Sequence, residues 1–412
     1  MKSGLINKIL LGIFVLALFL RLLAVINQEA SEIMPRSDAK EYDKIAIKMA
    51  SGYGYSLYRD GKYVPTMHFL PGYPLFLATI YRFFGHDYMA AKVMQAIIGA
   101  LFCIIIFFIG RAIYGDYTGI TAAFIAAIYK PFACGLLFSC YGGPAYLLSE
   151  YLTMFFISLS ILLFILFLKK KDKILAVMTG ILIGMTVSTR PEFIIFPVLF
   201  FLYFLYASRF AISAVIKKYF LIYLFIGLTL APWIIRNYII ERKFIPFSTY
   251  SGIVFWVGNN SLAKGGWVWP EDYQKTIDKI KGFSEYQENK IFFTKGLEWV
   301  KHNPKKMPWL IIKRLLIHWA PFENGLKVFN VYYAFVLLFA AIGILFFRNR
   351  SVSEVSLVVA LLTTSATAAI FYGDPRYRYP YEFCLIIFAA LAIVKIFGII
   401  GRKAAYGTNC AK

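Results

Sequence analysis

Charge is scarce in this sequence. Only 16% of its 412 residues are Asp, Glu, Lys or Arg, and the acids are the scarcer kind, 22 against 44 bases, a formal balance of +22. Soluble globular domains carry about 25% charged residues. The shortage, beside 60% hydrophobic residues, excludes a soluble enzyme and a disordered tail alike. Cysteine and histidine are also few. Cys103, Cys134, Cys140, Cys384 and Cys410 form no C-x-x-C pair and have no histidine at ligand spacing, which excludes a zinc site of the usual spacing and a disulfide framework. No glycine-rich nucleotide fingerprint follows a strand-like run. The basic excess forms no stripe with interleaved stacking aromatics, so no nucleic-acid partner is expected.

The sequence is instead rich in long apolar blocks. At about 20 residues per span, about ten transmembrane helices are expected, near 9–26, 88–113, 118–138, 146–168, 174–188, 193–207, 219–235, 329–347, 354–372 and 380–400. The first block follows Lys2 and Lys8 and exceeds a signal-peptide core, so it reads as an uncleaved span. Four basic clusters fall on one side when spans alternate: Lys169-Lys170-Lys171-Asp172-Lys173, Arg209 with Lys217-Lys218, Arg348-Asn349-Arg350, and Arg402-Lys403. By the positive-inside rule that side is cytoplasmic. Both termini are then cytoplasmic, with two long loops, 27–87 and 236–330, outside. The expected organisation is a catalytic membrane module over 1–235, an outer loop region over 236–328 and C-terminal spans over 329–412. Within the second loop, 271–306 has helical charge spacing, and Trp309 to Leu316 is too short and charged to span, so it is expected along the interface.

The remaining charged residues gather on the outer face: Asp38 and Glu41, Glu150, Arg190 and Glu192, Arg236, then Asp374, Arg376 and Arg378. Arginines there run against the positive-inside trend, and ionisable groups at membrane depth are costly unless paired or functional. Each has a plain reading of its own. Asp38-x-x-Glu41 reads as a capping box with Asp in place of Ser or Thr. Glu150 reads as a helix-start charge favoured by the macrodipole, and Arg190 and Glu192 as a local pair. Arg21, inside the first span, reads as a snorkelling side chain. His68 to Pro74 reads as a rigid elbow into a helix over 75–84, Pro232 to Tyr238 as a kinked helix end, and Asn259-Asn260-Ser261 as a weak glycosylation match. Pro375 and Pro380 discourage a helix around Arg376 and Arg378. An extended stretch there would point both guanidiniums to one side.

Taken together, Asp38-x-x-x-Tyr42-x-x-x-Ala46, Leu70-Pro71-Gly72-Tyr73-Pro74-Leu75, Ser149-Glu150, Gly180-x-x-x-Gly184 leading to Thr189-Arg190-Pro191-Glu192, Pro232-Trp233-x-x-Arg236-Asn237-Tyr238 and Arg376-Tyr377-Arg378-Tyr379-Pro380 resemble the GT-C membrane glycosyltransferases. The order of these motifs is similar to glycosyltransferase family 39, which contains the protein O-mannosyltransferases and the lipid A aminoarabinose transferase. The resemblance implies an all-α integral membrane protein of GT-C fold, with short helices in a large first outer loop. It implies inverting transfer of a sugar from a polyprenyl-phosphate carrier to a hydroxyl of a lipid, glycan or protein, outside the inner or plasma membrane.

By the same resemblance Asp38 is the catalytic base. Arg376, Arg378 and Arg236 would hold the donor phosphate, and Tyr42, His68, Glu150, Arg190, Glu192, Asn237 and Tyr379 would line the substrate site. The second acid that protein mannosyltransferases place after the base is Ala39 here, and the D-x-D of oligosaccharyltransferases is missing. No metal and no cofactor is therefore expected. The competing reading is a transporter or flippase of lipid-linked sugars, which would place charges mid-span.

Overall fold

The computed structural model describes residues 2–27, 35, 37–59, 61–133, 145–323, 328–346 and 351–409, with side chains left undescribed at 59, 323 and 399–409. Cys134, Cys140, Cys410, the Arg348–Arg350 cluster and the last part of the third expected span lie outside the described residues.

The apolar blocks become helices whose ends are set by local chemistry. The first helix, α1, spans Ser3–Ile26. In the first long loop lie α2 (Asp38–Ala50), a hairpin of β1 (Ser56–Arg59) and β2 (Lys62–Pro65) pairing Ser56 with Pro65 and Arg59 with Lys62, and α3 (Gly72–Phe84). Next, α4 (Tyr88–Tyr114) is started by Asp87, whose carboxylate accepts from Met89 N at 2.8 Å. The fifth helix, α5, runs Asp116–Ile128, followed by the short α6 (Lys130–Ala133). Beyond them come α7 (Glu150–Lys170), α8 (Lys173–Thr189), α9 (Ile195–Ala207) and α10 (Ile212–Glu241).

The second long loop carries α11 (Ser251–Gly258), α12 (Tyr273–Lys279), α13 (Glu285–His302) and α14 (Met307–Trp319), then a second hairpin of β3 (Phe322–Glu323) and β4 (Val328–Phe329). The chain closes with α15 (Val331–Leu345), α16 (Val352–Ile370), the short α17 (Pro375–Arg378) and α18 (Glu382–Asn409). Capping boxes start α13 (Ser284 with Gln287) and α16 (Ser351 with Glu354).

All ten expected spans have a helix. Among the described residues six are long and apolar enough to cross a membrane, and the other four positions carry shorter apolar helices of 10–17 residues. The protein is thus an all-α integral membrane protein. The largest boundary correction is the third span, expected over 118–138, which stops at Ile128. Pro131 has no N–H to offer the Ala127 carbonyl four residues back. That carbonyl and its neighbour on Ala126 receive the Arg21 guanidinium instead, both at 3.4 Å. Arg21 therefore does not snorkel: it is fully buried and closes the end of α5, where the helix dipole favours a cation.

At the centre stands α18. Residues 378–392 are buried without interruption, as expected of a helix enclosed on all sides. Close approach around it is set by glycine. A Cβ on Gly343 of α15 would overlap the Phe388 carbonyl of α18. Gly343→Val is expected to lower the melting temperature in detergent by an amount equivalent to at least about 1–3 kcal/mol, the usual range for overpacking, whereas Gly227→Val, on an open face of α10, is not. Gly180 and Gly184 similarly seat α8 on α10: a Cβ would lie 2.5 Å from Ile222 O and 2.6 Å from Thr229 respectively.

The two long loops are joined. Glu285 accepts from Thr66 Oγ1 and Met67 N, both at 2.7 Å, and from Thr249 Oγ1 at 3.2 Å. This fixes the first loop, which carries Asp38, against the second.

Candidate active site

Asp38 is the first residue of α2. The cap position falls to Ser37, at φ 49°, and no side-chain cap bond forms, which corrects the capping-box reading. The Asp38 carboxylate points instead to Arg376, with Oδ2 3.1 Å from Nη1. The same guanidinium donates through Nε to Glu150. Glu150 also receives Arg190 Nη2 at 2.5 Å, and Arg190 Nη1 reaches Glu192 at 3.3 Å. Five of the expected site residues thus form one chain: Asp38, Arg376, Glu150, Arg190, Glu192.

Its two ends differ in exposure. The side chains of Asp38 and Arg376 are 29% and 24% exposed, those of Arg190 and Glu150 only 8% and 1%. The inner pair holds the outer arginine in place, and the outer pair can meet a ligand. Asp38 and Glu150 each open a helix and Arg190 closes one, so the three helix dipoles support the charges placed on them.

Aromatic rings surround the chain. Tyr42, one turn along α2, is buried edge-on to Phe69 at 5.0 Å and Tyr73 at 5.1 Å. Burial raises its phenol above the usual value and the Asp38 charge raises it further, so it is a neutral hydrogen-bonding group. His68 leans on Tyr250 at 4.4 Å between ring centroids. Tyr250 feels the Asp38 charge as well: burial, then Asp38, raises its phenol. Tyr377 lies under the Arg190 guanidinium at 5.1 Å. Neither Tyr250 nor Tyr377 stands out in the sequence as a site residue, although Tyr377 lies inside the Arg376 to Pro380 motif.

Other expected site residues are placed elsewhere. The segment around Arg376 and Arg378 is helical, not extended. Asp374 accepts from Arg376 N at 2.8 Å as an N-cap, Pro375 takes the first helical position, and Pro380 takes the second position of the following 3-10 turn, Tyr379–Tyr381. Residues two apart on a helix point to different sides, so the two arginines part. Arg378 enters the bundle fully buried, with Nε 2.7 Å from Glu382, Nη1 2.7 and 2.9 Å from the His318 and Ala320 carbonyls, and its plane 3.7 Å from the Tyr333 ring. Tyr379 is buried beside it.

Arg236 is also diverted. It donates to the carbonyls of Tyr55 at 2.7 Å and Thr66 at 3.0 Å and lies over the Tyr55 and Trp233 rings. Asn237, fully buried, accepts from Arg236 and donates to Ile245 O. Both fasten the first long loop. Asn259 is no glycosylation acceptor, being buried with its amide on the Phe255 and Ile370 carbonyls. Among the described residues, no three His, Cys, Asp or Glu side chains converge as metal ligands.

No protein-family model and no curated protein sequence matches the chain. Among solved structures, the oligosaccharyltransferase of Archaeoglobus fulgidus tethered with an acceptor peptide is similar at 15% identity and a TM-score of 0.59, over 98% of this chain and 51% of that one. AglB of the same organism, in complex with an inhibitory peptide and a dolichol-phosphate, gives 15% identity and a TM-score of 0.57 over 97% and 52%. ArnT from Cupriavidus metallidurans bound to undecaprenyl phosphate aligns at 11% identity and a TM-score of 0.46, over 95% and 78%. The chain spans about half the length of the oligosaccharyltransferase it matches. At such identity the likeness is one of architecture: this chain shares the all-α membrane fold of the archaeal oligosaccharyltransferase.

Proposed function

We propose that the chain is a glycosyltransferase that moves a hexose or pentose from a polyprenyl-phosphate donor to an acceptor hydroxyl, with inversion, on the extracytoplasmic side of the inner or plasma membrane. The observation that carries this reading is the partly exposed Asp38–Arg376 pair, backed by the buried Glu150 and Arg190, at the helix ends of a GT-C fold. AglB, which shares the fold, is described with a dolichol-phosphate, a lipid phosphate of the class proposed here.

A hydroxyl is a poor nucleophile at neutral pH. As its oxygen attacks the anomeric carbon, Asp38 takes the proton, an assistance of typically about 10²–10⁴-fold. The bond between that carbon and the phosphate oxygen breaks, and its electron pair leaves with the lipid phosphate. Arg376 stabilises the charge that grows there. Because it is shared between two carboxylates, an arriving phosphate can take the place of Asp38 on its planar fork while Glu150 keeps the Nε side fixed. Asp38 is then released toward the acceptor. The Arg376 guanidinium lies between the two carboxylates, and no metal is proposed.

Release of polyprenyl phosphate from a labelled polyprenyl-phosphate sugar by the purified protein, in membranes that supply the acceptor, tests the reading. No release above protein-free membranes with either hexose or pentose donors refutes it. The topology has its own test: with a membrane-impermeant thiol reagent, Asp38→Cys is expected to label from outside and Lys171→Cys only from the cytoplasm. Cytoplasmic labelling at position 38 overturns the outer site.

A further inference from the structure

The site's aromatic wall does not stop at Tyr377. The Tyr377 hydroxyl meets that of Tyr372, with ring centroids 5.5 Å apart. Tyr372 meets Trp267 edge-on at 5.3 Å and 86°, and Trp267 meets Trp269 at 5.2 Å and 82°. Trp269 is 46% exposed. A row of rings thus leads from the Arg190–Glu150 pair to the surface of the second outer loop.

The row is held rigidly. Gly265 O, just before the tryptophans, accepts from Gly373 N at 2.8 Å, directly ahead of the turn that carries Arg376. Asn260 Nδ2 donates to Val268 O, between the two tryptophans, at 3.0 Å. Gly265 sits at φ +107°, and a Cβ there would press on Ile317 and Lys313 at 3.1 Å. Trp269, backed by Tyr273 at 4.4 Å and nearly half open, and the partly exposed Trp267 beside it offer indole surface to a ligand that is apolar on its ring faces and hydroxylated at its edges.

We propose that Trp267 and Trp269 form an acceptor subsite that stacks a saccharide, so that the acceptor is a glycan of two or more sugar units whose terminal hydroxyl reaches Asp38. The acceptor role rests on the transferase reading above; the saccharide platform does not. A tryptophan serving only as an interfacial membrane anchor gives no reason for a row of rings running back to the site.

The test uses the purified full-length protein in detergent on an array of defined mono- to hexasaccharides, peptides and lipid head groups, without donor. Binding to at least one oligosaccharide is expected. It should weaken about tenfold or more in Trp269→Ala, as for loss of a stacking aromatic, and be largely kept in Trp269→Phe. Trp309→Ala, an exposed tryptophan on α14, should leave it unchanged. No saccharide binding, equal binding in Trp269→Ala, or Trp269-dependent binding of peptides overturns the proposal. So does quenching of Trp269 fluorescence by brominated lipid in nanodiscs, which marks an anchor. If saccharides bind as expected while polyprenyl phosphate release fails, the transferase reading falls and the platform stands. If release occurs without saccharide binding, the platform falls and the transferase reading stands.

Discussion

Asp38→Asn is expected to reduce sugar transfer at saturating donor by about 10²–10⁴-fold, the contribution of a positioned general base, with little change in folding. The structure explains why the two effects separate. The side chain makes no helix-cap bond whose loss would unravel α2. Its pair with Arg376 is partly exposed on both sides, and such pairs contribute about 0–1 kcal/mol. Asparagine keeps an oxygen that accepts from Arg376 Nη1 while losing the negative charge and the capacity to take a proton. The measurement is turnover beside melting temperature and donor affinity, all in detergent. Turnover within tenfold of the unsubstituted chain would falsify Asp38 as the base. The role would not then pass to Glu150, which is buried between two guanidiniums. Glu192, more exposed at 14%, is the next carboxylate on the chain.

The span pattern is legible in the sequence because it depends on local chemistry: apolar blocks make helices, and Asp87, Asp172 and Ser351 start them by accepting backbone N–H groups nearby. The charged cluster is legible because charges at helix ends are rare enough to stand out. Which of those charges meet is not. Asp38 and Arg376 are 338 residues apart in the chain, Glu150 and Arg376 226, and no local rule encodes such pairings.

Arg236 and Arg376 look alike in sequence, each an arginine near the expected end of an apolar span. They part only because folding brings the Tyr55 and Thr66 carbonyls to one and two carboxylates to the other. The helix around Arg376, by contrast, has a local signal that the extended reading passes over. Asp374-Pro375 is a helix start, an N-cap followed by proline at the first position, and there the helix-starting role of proline prevails over its helix-breaking one. Arg21 shows the reverse. Its position inside an apolar span is plain from the sequence, but the carbonyls of Ala126 and Ala127, free at the end of α5, become its partners only in three dimensions.

The remaining large effect separates the two arginines of the 376–378 turn. Arg376→Lys is expected to lower transfer by about 10²-fold or more, the usual loss when one transition-state donor is removed, and to weaken binding of a non-hydrolysable polyprenyl-phosphate analogue. One ammonium cannot reach Glu150 and a phosphate with the fixed fork that Nε and Nη1 provide. Melting temperature should change little, because the side chain is a quarter exposed and its buried partner Glu150 keeps Arg190. Arg378→Lys should do the opposite. That guanidinium is fully buried, bound to Glu382 and two carbonyls and stacked on Tyr333. The shorter ammonium leaves part of this set unmet, and disrupting a buried pair costs about 3–5 kcal/mol. The variant should therefore melt earlier, while each molecule that remains folded binds the analogue normally. The crossed comparison decides the assignment. A loss of analogue binding in Arg378→Lys at unchanged melting temperature, with Arg376→Lys unaffected, would move the phosphate clamp from Arg376 to Arg378 and place the donor inside the bundle instead of at its outer end.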